Sequence, residues 1–404
     1  MRVKKVWTFA VIAVLAMAAA VPLAMRNEPA ARAEQELSVV RLLAVNVGKA
    51  DSLLLWADSK VYLIDTGTVQ SWGALKTALD ALQITRLNGV FLTHTDKDHM
   101  GGMEQLAQSN IAVDVWYGSA MYTGIKQDKH PLLLAAAQRN KQPVWLKAGD
   151  TVAVSDTSSF KILGPIILDE ENENNNSLVM RLETPSGSIL LTGDMELAEE
   201  SALMAKGSFT HSEVLKVSHH GDDDATSASF VRLVSPQIAV ISTNSVEEPD
   251  TPSSSVLFAL NRAGVKTAVT QDAKGGMMVT LKDGKAEVEP AEWKNVPGIS
   301  SAVRLTGLDA EQDVLTISNA GSESVSLKGW YVFSVRGEEI FFFPENATLA
   351  PGAAARLGSQ ATPGACEWRF DDKNVWSSKK KDEAVLYDPY GRPVAKLGNG
   401  LTEE

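Results

Sequence analysis

Cysteine is nearly absent from this sequence: Cys366 is the single one among 404 residues. Its isolation excludes an intramolecular disulfide and any metal or redox site built on paired cysteines. A metal ion would therefore be bound by histidine and carboxylate side chains. Histidine is also scarce, with six in the whole chain, so any place where histidines cluster is informative.

An excess of positive charge is absent as well. The chain has 38 Lys and Arg against 50 Asp and Glu, which gives a formal net charge of −12. This balance argues against tight nucleic-acid binding through a broad basic face, so any phosphate chemistry would depend on a local cation. With 44 % hydrophobic residues, the composition is that of a globular protein of about two domains, which excludes a disordered or collagen-like chain.

Long apolar runs are confined to the N-terminus, so the sequence encodes no integral membrane channel. Arg2, Lys4 and Lys5 precede an apolar run over residues 6–25, and an Ala-Arg-Ala cleavage pattern ends at Ala33. This order predicts that residues 1–33 are a signal peptide, or an uncleaved N-terminal anchor. Removing their five basic residues and one acidic residue takes the net charge from −12 to −16. We expect a protein that is secreted or attached to the outer face of the cytoplasmic membrane.

Two different patterns follow this segment. Residues 38–288 alternate short apolar strands with helices, which predicts one α/β domain. Residues 289–301 contain Pro, Gly and Ser and predict a linker. Residues 302–400 lose the helical periodicity and show short β-type runs between turns, which predicts a small all-β sandwich.

Side chains that can carry chemistry gather where three predicted strands of the α/β domain end. They are His94, Asp96, Asp98 and His99 at the first strand end, Asp194 at the second, and His219 and His220 at the third. Imidazole and carboxylate groups are ligands of Zn²⁺ and Mn²⁺ in proteins. The pattern therefore predicts a site for two divalent metal ions with a bridging carboxylate.

These motifs resemble the metallo-β-lactamase superfamily, and within it the extracellular domain of ComEC-type competence proteins. The resemblance rests on segments that read NVGKADS, LIDTG, HTDKDHMGG, NNNSLV, LLTGD and LKVSHHG, in this order between residues 46 and 221. It implies a metallo-β-lactamase αββα sandwich and a metal-dependent hydrolase. Two departures are Asn46 and Ala50, which replace Asp and Gly of the opening motif, and a third is Thr251, which stands where the branch usually has histidine.

The resemblance also implies a role for each residue. His94 and Asp96 would bind the first ion. Asp98, His99 and His219 would bind the second ion, and Asp194 would bridge the two. His220 would then contact the phosphate or donate a proton, with Asp98 as its catalytic partner, although His219 and His220 could exchange roles. Contacts to the ligand loops or to the substrate are implied for Asp65, Asn176, Ser177 and Thr251. The superfamily's middle histidine has no counterpart, because His130 is expected on the surface.

The C-terminal region resembles a lamin tail domain through LTISNAG at residues 315–321 and LKGW at residues 327–330, among other segments. This resemblance implies an immunoglobulin-like sandwich, with Trp330 in its core. It also implies a role in tethering the protein to a cell surface or to nucleic acid.

The function that these observations favour is an exported hydrolase that uses two divalent ions, Zn²⁺ or Mn²⁺, to cleave phosphodiesters, foremost in extracellular DNA. One alternative is a surface phosphoester hydrolase such as a phosphocholine esterase. Another is a binding or adhesion protein whose metal site has decayed. Asp96, in place of a second histidine, makes β-lactam hydrolysis the weaker reading.

The N-terminal pattern predicts a processed or anchored protein. We expect the mature chain to begin at Glu34, or the whole chain to sediment with the membrane on its outer face. Mass spectrometry of the N-terminus and cell fractionation measure this, with a chain lacking residues 2–25 as the control that stays inside the cell. A full-length chain that is soluble in the cytoplasm contradicts the prediction.

Overall fold

The computed structural model describes residues 39–246, 248–293, 300, 302–337, 339–390 and 392–401. The predicted targeting segment, residues 1–33, lies outside the described residues, as does most of the predicted linker. Residues Leu37–Glu404 form one compact unit. Across the described ranges, no helix has the length and apolarity needed to cross a membrane.

Residues 39–293, called the α/β part below, mix strands and helices. Its strands are β1 (Val40–Ala44), β2 (Leu53–Ala57), β3 (Lys60–Ile64), β4 (Arg86–Leu87), β5 (Gly89–Leu92), β6 (Ala112–Val113), β7 (Trp116–Ser119), β8 (Val144–Leu146), β9 (Thr151–Ala153), β10 (Ser159–Gly164), β11 (Val179–Thr184), β12 (Gly187–Leu191), β13 (Val214–Lys216), β14 (Ile238–Ile241), β15 (Lys266–Val269), β16 (Met277–Lys282) and β17 (Lys285–Pro290). Its α-helices are α1 (Trp72–Ala81), α2 (Lys97–Met100), α3 (Met103–Gln108), α4 (Pro131–Gln138), α5 (Leu197–Lys206), α6 (Ala228–Val234) and α7 (Ser254–Arg262). Strand β17 reaches two residues into the predicted linker.

Local signals in the sequence explain several helix ends. The Ser227 and Ser253 side chains accept hydrogen bonds from backbone N–H groups in the first turns of α6 and α7, as N-caps do. Helix α5 ends at Gly207, whose φ of +71° is readily adopted by glycine. Strand β5 is buried at all four residues, as expected for a strand covered on both faces.

The strands form two large mixed sheets. The first has the order β17-β16-β1-β2-β3-β5-β7-β8, and the second has the order β15-β14-β13-β12-β11-β10-β9. Strands β3, β5, β7 and β8 are parallel neighbours, and so are β12, β13, β14 and β15. Parallel neighbours bring their carboxyl ends to one edge of a sheet, where the loops that follow them meet.

Three apolar cores separate four layers. The central core joins both sheets, and Phe91 of β5 lies 4.9 Å from Phe160 of β10 between ring centroids. A second core packs the first sheet against α1, α3 and α4, and a third packs the second sheet against α5, α6 and α7. The predicted αββα order is therefore confirmed.

Residues 302–401, called the β part below, contain strands and no α-helix in their described portion. The strands are β18 (Val303–Asp309), β19 (Val314–Asn319), β20 (Val325–Ser326), β21 (Tyr331–Ser334), β22 (Ile340–Phe342), β23 (Thr348–Leu349), β24 (Ala354–Gly358), β25 (Trp368–Arg369), β26 (Glu383–Tyr387) and β27 (Pro393–Gly398). They form sheets β18-β19-β24-β25, β22-β21-β26-β27 and β20-β23 around one apolar core. Trp330 lies in that core, as expected, and the predicted all-β class is confirmed.

The β part packs directly against the α/β part. The Tyr331 hydroxyl donates to the carbonyl oxygen of Gln70 at 2.5 Å, just before α1. Phe342 packs against the core under the first sheet. Tyr331 and Phe342 are paired neighbours on β21 and β22, so this contact uses one face of a sheet rather than a flexible tail.

The buried Glu199 of α5 predicts a pH-dependent stability. Burial raises the pKa of Glu199 to about 7, although a hydrogen bond from the Ile166 N–H partly lowers it. A raised carboxyl pKa favours the fold below the unfolded value of about 4.5, and this contribution is lost as pH rises through about 7. We expect Glu199→Gln, which keeps the hydrogen-bond acceptor, to gain stability relative to the wild type as pH rises from 4.5 to 8. Thermal unfolding across this range measures it, with the exposed Glu287→Gln as the control. A difference in Tm that stays constant with pH contradicts the prediction.

Candidate metal centre

Four of the predicted residues meet at the edge where the strands of both sheets end. Asp98, His99, Asp194 and His220 each offer a ligand atom within 4.8 Å of the others. His220 Nε2 lies 3.2 Å from Asp98 Oδ2 and 3.2 Å from Asp194 Oδ2, and His99 Nε2 lies 3.1 Å from Asp194 Oδ2. One carboxylate from the second sheet thus contacts imidazoles from both halves of the fold.

Two further predicted ligands, His94 and Asp96, stand next to this group. The His94 ring lies 4.1 Å from the His99 ring between centroids, and His94 Nε2 lies 3.8 Å from Asp96 Oδ2. The His94 side chain is fully buried, whereas that of Asp96 is 47 % exposed. The cluster therefore opens to solvent on the side of Asp96.

Each of the three histidines is held through its Nδ1 atom. His99 donates to Asp65 Oδ2 at 2.8 Å, and His220 donates to the Ser242 carbonyl oxygen at 2.8 Å. The Thr93 hydroxyl donates to Asp65 at 2.7 Å and therefore accepts from His94 Nδ1 at 3.1 Å. These contacts direct the Nε2 lone pair of each ring into the cluster, as in metal sites where a second group orients the ligand.

The donor set fits a cation. His94 Nε2 and Asp194 Oδ1 are buried polar atoms without a hydrogen-bond partner among the described residues, and His99 Nε2 faces Asp194 Oδ2 at 3.1 Å without a well-aligned hydrogen bond. Such atoms destabilise a fold unless something satisfies them. Borderline imidazole and hard carboxylate donors together suit Zn²⁺ or Mn²⁺.

The cluster compensates its own charges when no cation is bound. Burial lowers the pKa of His94 to about 3, with His99 as the next cause. Burial alone would lower the pKa of His220, but the Asp194 and Asp98 carboxylates raise it to about 9. Burial would likewise raise the pKa of Asp194, yet His220 and His99 hold it well below its ordinary value. A divalent cation would take over this compensation by displacing the imidazole protons.

The structure exchanges the expected places of His219 and His220. His219, expected as the ligand, is turned away from the cluster, with its Nδ1 2.8 Å from Asp224 Oδ1 and its Nε2 3.4 Å from Asn174 Nδ2. The cause is the backbone, because both histidines have positive φ, 46° and 54°, in the turn before Gly221. His220 rather than His219 therefore belongs to the cluster with Asp98, His99 and Asp194, and His219 lies beside Glu196 and Asp224.

The expected supporting residues differ in what they contact. Asp65 binds His99 and accepts from the Thr93 N–H, and Ser177 Oγ accepts from the Asp194 N–H at 3.0 Å. Both therefore position ligands rather than contact a substrate.

Asn176 and Thr251 form hydrogen bonds outside the cluster. The Asn176 side chain accepts from the Asp169 N–H at 2.9 Å and donates to Glu173 at 3.1 Å, which holds its own loop together. Thr251 is buried and bonds to Thr243 through its hydroxyl at 2.6 Å. Neither makes a described hydrogen bond to the ligand residues, so the first ion would rely on His94, Asp96 and Asp194.

His130 is also misplaced by the sequence analysis. It is 2 % exposed rather than on the surface, and its Nδ1 accepts from the Leu132 N–H as the N-cap of α4. The following Pro131, at the first position of the helix, is the signal that would have found this role.

The sequence patterns did not predict a buried ion pair that lies near the cluster. Lys216 Nζ lies 2.6 Å from Asp51 Oδ2, and both side chains are 1 % exposed. Asp51, Asp65 and His99 also have ligand-type atoms within 4.8 Å of one another. Two of the quoted motifs, NVGKADS and LKVSHHG, therefore meet in one ion pair, which a sequence can suggest only once the fold is known.

Comparison with known families agrees with this site. Residues 45–245 match the metallo-beta-lactamase superfamily, and residues 299–400 match the Lamin Tail Domain. The chain joins a metallo-beta-lactamase domain to a lamin tail domain. Both resemblances drawn from the motifs are thus confirmed.

The metallo-beta-lactamase domain has relatives among competence proteins. ComE operon protein 3 of Bacillus subtilis (strain 168) is 29 % identical over 257 residues, which are 59 % of this chain and 33 % of that protein. Competence protein ComA of Neisseria gonorrhoeae is 27 % identical over 246 residues, which are 60 % of this chain and 33 % of that protein. The chain spans about a third of the length of these relatives. A solved structure, Igni18 of Ignicoccus hospitalis KIN4/I, described as a novel metallo hydrolase, aligns with a TM-score of 0.40 and 14 % identity over 60 % of this chain and 99 % of that one.

The buried ion pair of the metallo-beta-lactamase domain predicts a large effect of single substitutions. Lys216→Met leaves the Asp51 carboxylate buried without its partner, which should lower the free energy of unfolding by about 3–5 kcal/mol. The double variant Asp51→Asn/Lys216→Met removes both charges and should recover much of this loss. Chemical denaturation of the metal-free protein measures both, with exposed Lys282→Met as the control. A loss below about 1 kcal/mol for Lys216→Met, which is the range of surface ion pairs, would contradict the prediction.

Proposed function

We propose that this protein is a metal-dependent phosphodiesterase. The observation that carries the proposal is a set of buried metal-ligand atoms at the strand ends: His94 Nε2 and Asp194 Oδ1, which lack a hydrogen-bond partner among the described residues, and His99 Nε2, which faces Asp194 Oδ2. Divalent cations bound there would stabilise the charge on a phosphoryl oxygen and activate water. The superfamily supports the hydrolase class, and a site that fits divalent cations supports a phosphoester as the substrate.

The chain's own residues divide this work. His94, Asp96 and Asp194 would hold one ion, and Asp98, His99 and His220 would hold the other together with Asp194. The Asp98 side chain is 31 % exposed and that of Asp96 is 47 % exposed, whereas the three imidazoles are fully buried. A phosphate therefore approaches across the two aspartates.

His219 stands beside the cluster as a candidate substrate contact. Its side chain is 17 % exposed, and its ring lies 6.2 Å from that of His220. Asp224 fixes the ring through Nδ1, with Glu196 Oε1 3.9 Å from the same atom. The other edge of the ring carries Nε2, 3.4 Å from Asn174 Nδ2, and a phosphate oxygen would be bound on this side of the ring.

The polymer substrate and the location are part of the proposal. Support for single-stranded DNA comes from the relatives that carry competence names, and support for export comes from the pattern of residues 1–33. The net charge of −12 opposes long-range attraction of DNA, so local cations would have to neutralise the phosphates. The lamin tail domain would tether the enzyme to the cell surface or to nucleic acid.

The binding protein with a decayed metal site is the alternative that the geometry disfavours. A decayed site has no reason to keep oriented imidazoles, yet each of the three rings retains an Nδ1 partner. The absence of the superfamily's middle histidine affects one ion rather than both.

The exchanged histidines predict opposite effects of two alanine substitutions. His220→Ala removes a ligand and should weaken Mn²⁺ binding at least about tenfold, whereas His219→Ala should keep the affinity within about threefold and lose turnover. Calorimetric titration of Mn²⁺ into metal-free protein measures the first effect. Hydrolysis of bis(p-nitrophenyl) phosphate, p-nitrophenylphosphorylcholine and single-stranded DNA with added Mn²⁺ or Zn²⁺ measures the second and separates the candidate substrates.

His211→Ala serves as the control, because the His211 side chain is 55 % exposed and lies outside the cluster. A His219→Ala protein that loses its metal while His220→Ala keeps it would reverse the assignment. A wild-type protein that binds less than one ion per chain would remove the proposed function.

A further inference from the structure

An apolar groove is lined by residues of both domains. It has a volume of about 930 Å³, and its lining includes Asp98 of the metal centre. The lamin tail domain contributes Phe333 of β21 to the lining. A volume of this size is that of a small-molecule site rather than of a packing defect.

The groove is lined mainly by aliphatic and thioether side chains. They include Val69, Met100, Met103, Ile125 and Leu134, and Phe333 adds one aromatic ring. Leu134 is 48 % exposed although it is a large apolar residue on a helix. An aliphatic chain laid along this surface would remove it from water.

Charged residues in the same groove suit an anionic head on such a chain. Lys97 and Lys129 line it together with Asp98 and Glu104. Asp98 belongs to the metal cluster, where a cation would offset its charge, and Glu104 accepts a hydrogen bond from Gln108 at 2.9 Å. Lys129 and the cations would then face a phosphate, while the apolar part of the groove faces its ester chain.

We propose that this groove binds the aliphatic chain of a phosphoester whose phosphate lies at the metal centre. The inference rests on the proposed function for the position of the phosphate alone. Nucleic-acid strands are usually bound by stacking their bases on aromatic side chains, and Phe333 is the one aromatic residue in the described lining. The lining thus favours an aliphatic ester chain over a DNA strand in this groove.

The lamin tail domain builds part of this site. Phe333 and Tyr331 lie two residues apart on β21 and so share a face of the strand. The Tyr331 hydroxyl binds the Gln70 carbonyl oxygen, and Gln70 and Val69 line the groove as well. The domain therefore fixes the groove wall, beyond any tethering role.

Binding of two phosphates that differ in chain length tests the proposal. Calorimetry with the purified chain would compare decyl phosphate, below its micelle concentration, with methyl phosphate. We expect decyl phosphate to bind at least about tenfold more tightly, because each buried methylene contributes to affinity, and to show a negative heat-capacity change. The preference should be present in metal-free and in Mn²⁺-loaded protein, since it arises in the groove.

Matched variants locate the effect. Leu134→Asp places a charge in the groove and should reduce the decyl-to-methyl preference to about threefold or less. Leu257→Asp is its control, because Leu257 is 36 % exposed on α7, away from the groove lining. Phe333→Ala tests the wall from the lamin tail domain, with Val335→Ala, 42 % exposed in the same domain, as its control.

Equal affinity of the two phosphates, or a preference that Leu134→Asp and Phe333→Ala both leave intact, overturns the proposal. So does displacement of decyl phosphate by a twelve-residue oligothymidylate that binds more tightly, because the groove would then hold nucleic acid. Failure of the proposed function gives a different result. Decyl phosphate would then bind in the groove, but the protein would hydrolyse no ester.

Discussion

The ion pair of Asp51 and Lys216 is the contact on which the geometry of the metal centre depends. The Asp51 N–H donates to the Asp98 carbonyl oxygen at 3.1 Å, and its own carbonyl accepts from the Gly67 N–H at 2.7 Å. Lys216 lies in the second sheet, and its carbonyl accepts from the Thr192 hydroxyl at 2.7 Å. The two charged groups lie 2.6 Å apart and are nearly inaccessible to water. The pair therefore joins the loops of the first sheet to the end of β13, which lies beside the end of β12 that leads to Asp194. Loss of either charge would leave the other buried at this junction.

The same pair shows why the site requires further cations. Asp51, Asp65 and Asp194 are all buried, and Lys216 offers one positive charge to balance them. Without bound metal, the remaining charge is offset by protons on His99 and His220, whose pKa values are raised by Asp194 despite their burial. Divalent ions would replace those protons and satisfy the buried Nε2 atoms at once. Electrostatic balance and ligand geometry thus favour the same occupant.

Local patterns predicted an α/β domain and the clustering of ligands, whereas the αββα layers were implied by the family resemblance. Because the ends of parallel strands meet at one edge of a sheet, the sequence predicted that His94 and Asp194 lie close together. The exchange of His219 and His220 could not be predicted, since two successive residues with positive φ break the alternation on which such reasoning relies. The partnership of Asp51 with Lys216 was equally hidden, because it joins residues far apart in sequence and depends on how the sheets pack.

The contact between the two domains links the lamin tail domain to the segment that precedes helix α1. The Tyr331 side chain is fully buried, its ring stacks on that of Tyr387 at 4.8 Å, and burial raises the pKa of its hydroxyl well above the ordinary value. A buried hydroxyl must keep its hydrogen bond, so its bond to Gln70 specifies one docking position rather than a loose association. Gln70 lies in the segment between Asp65, which orients His99, and helix α1. Movement of the lamin tail domain would therefore disturb both the groove wall and the segment that follows Asp65, so this domain is part of the structure that positions the residues of the metal centre.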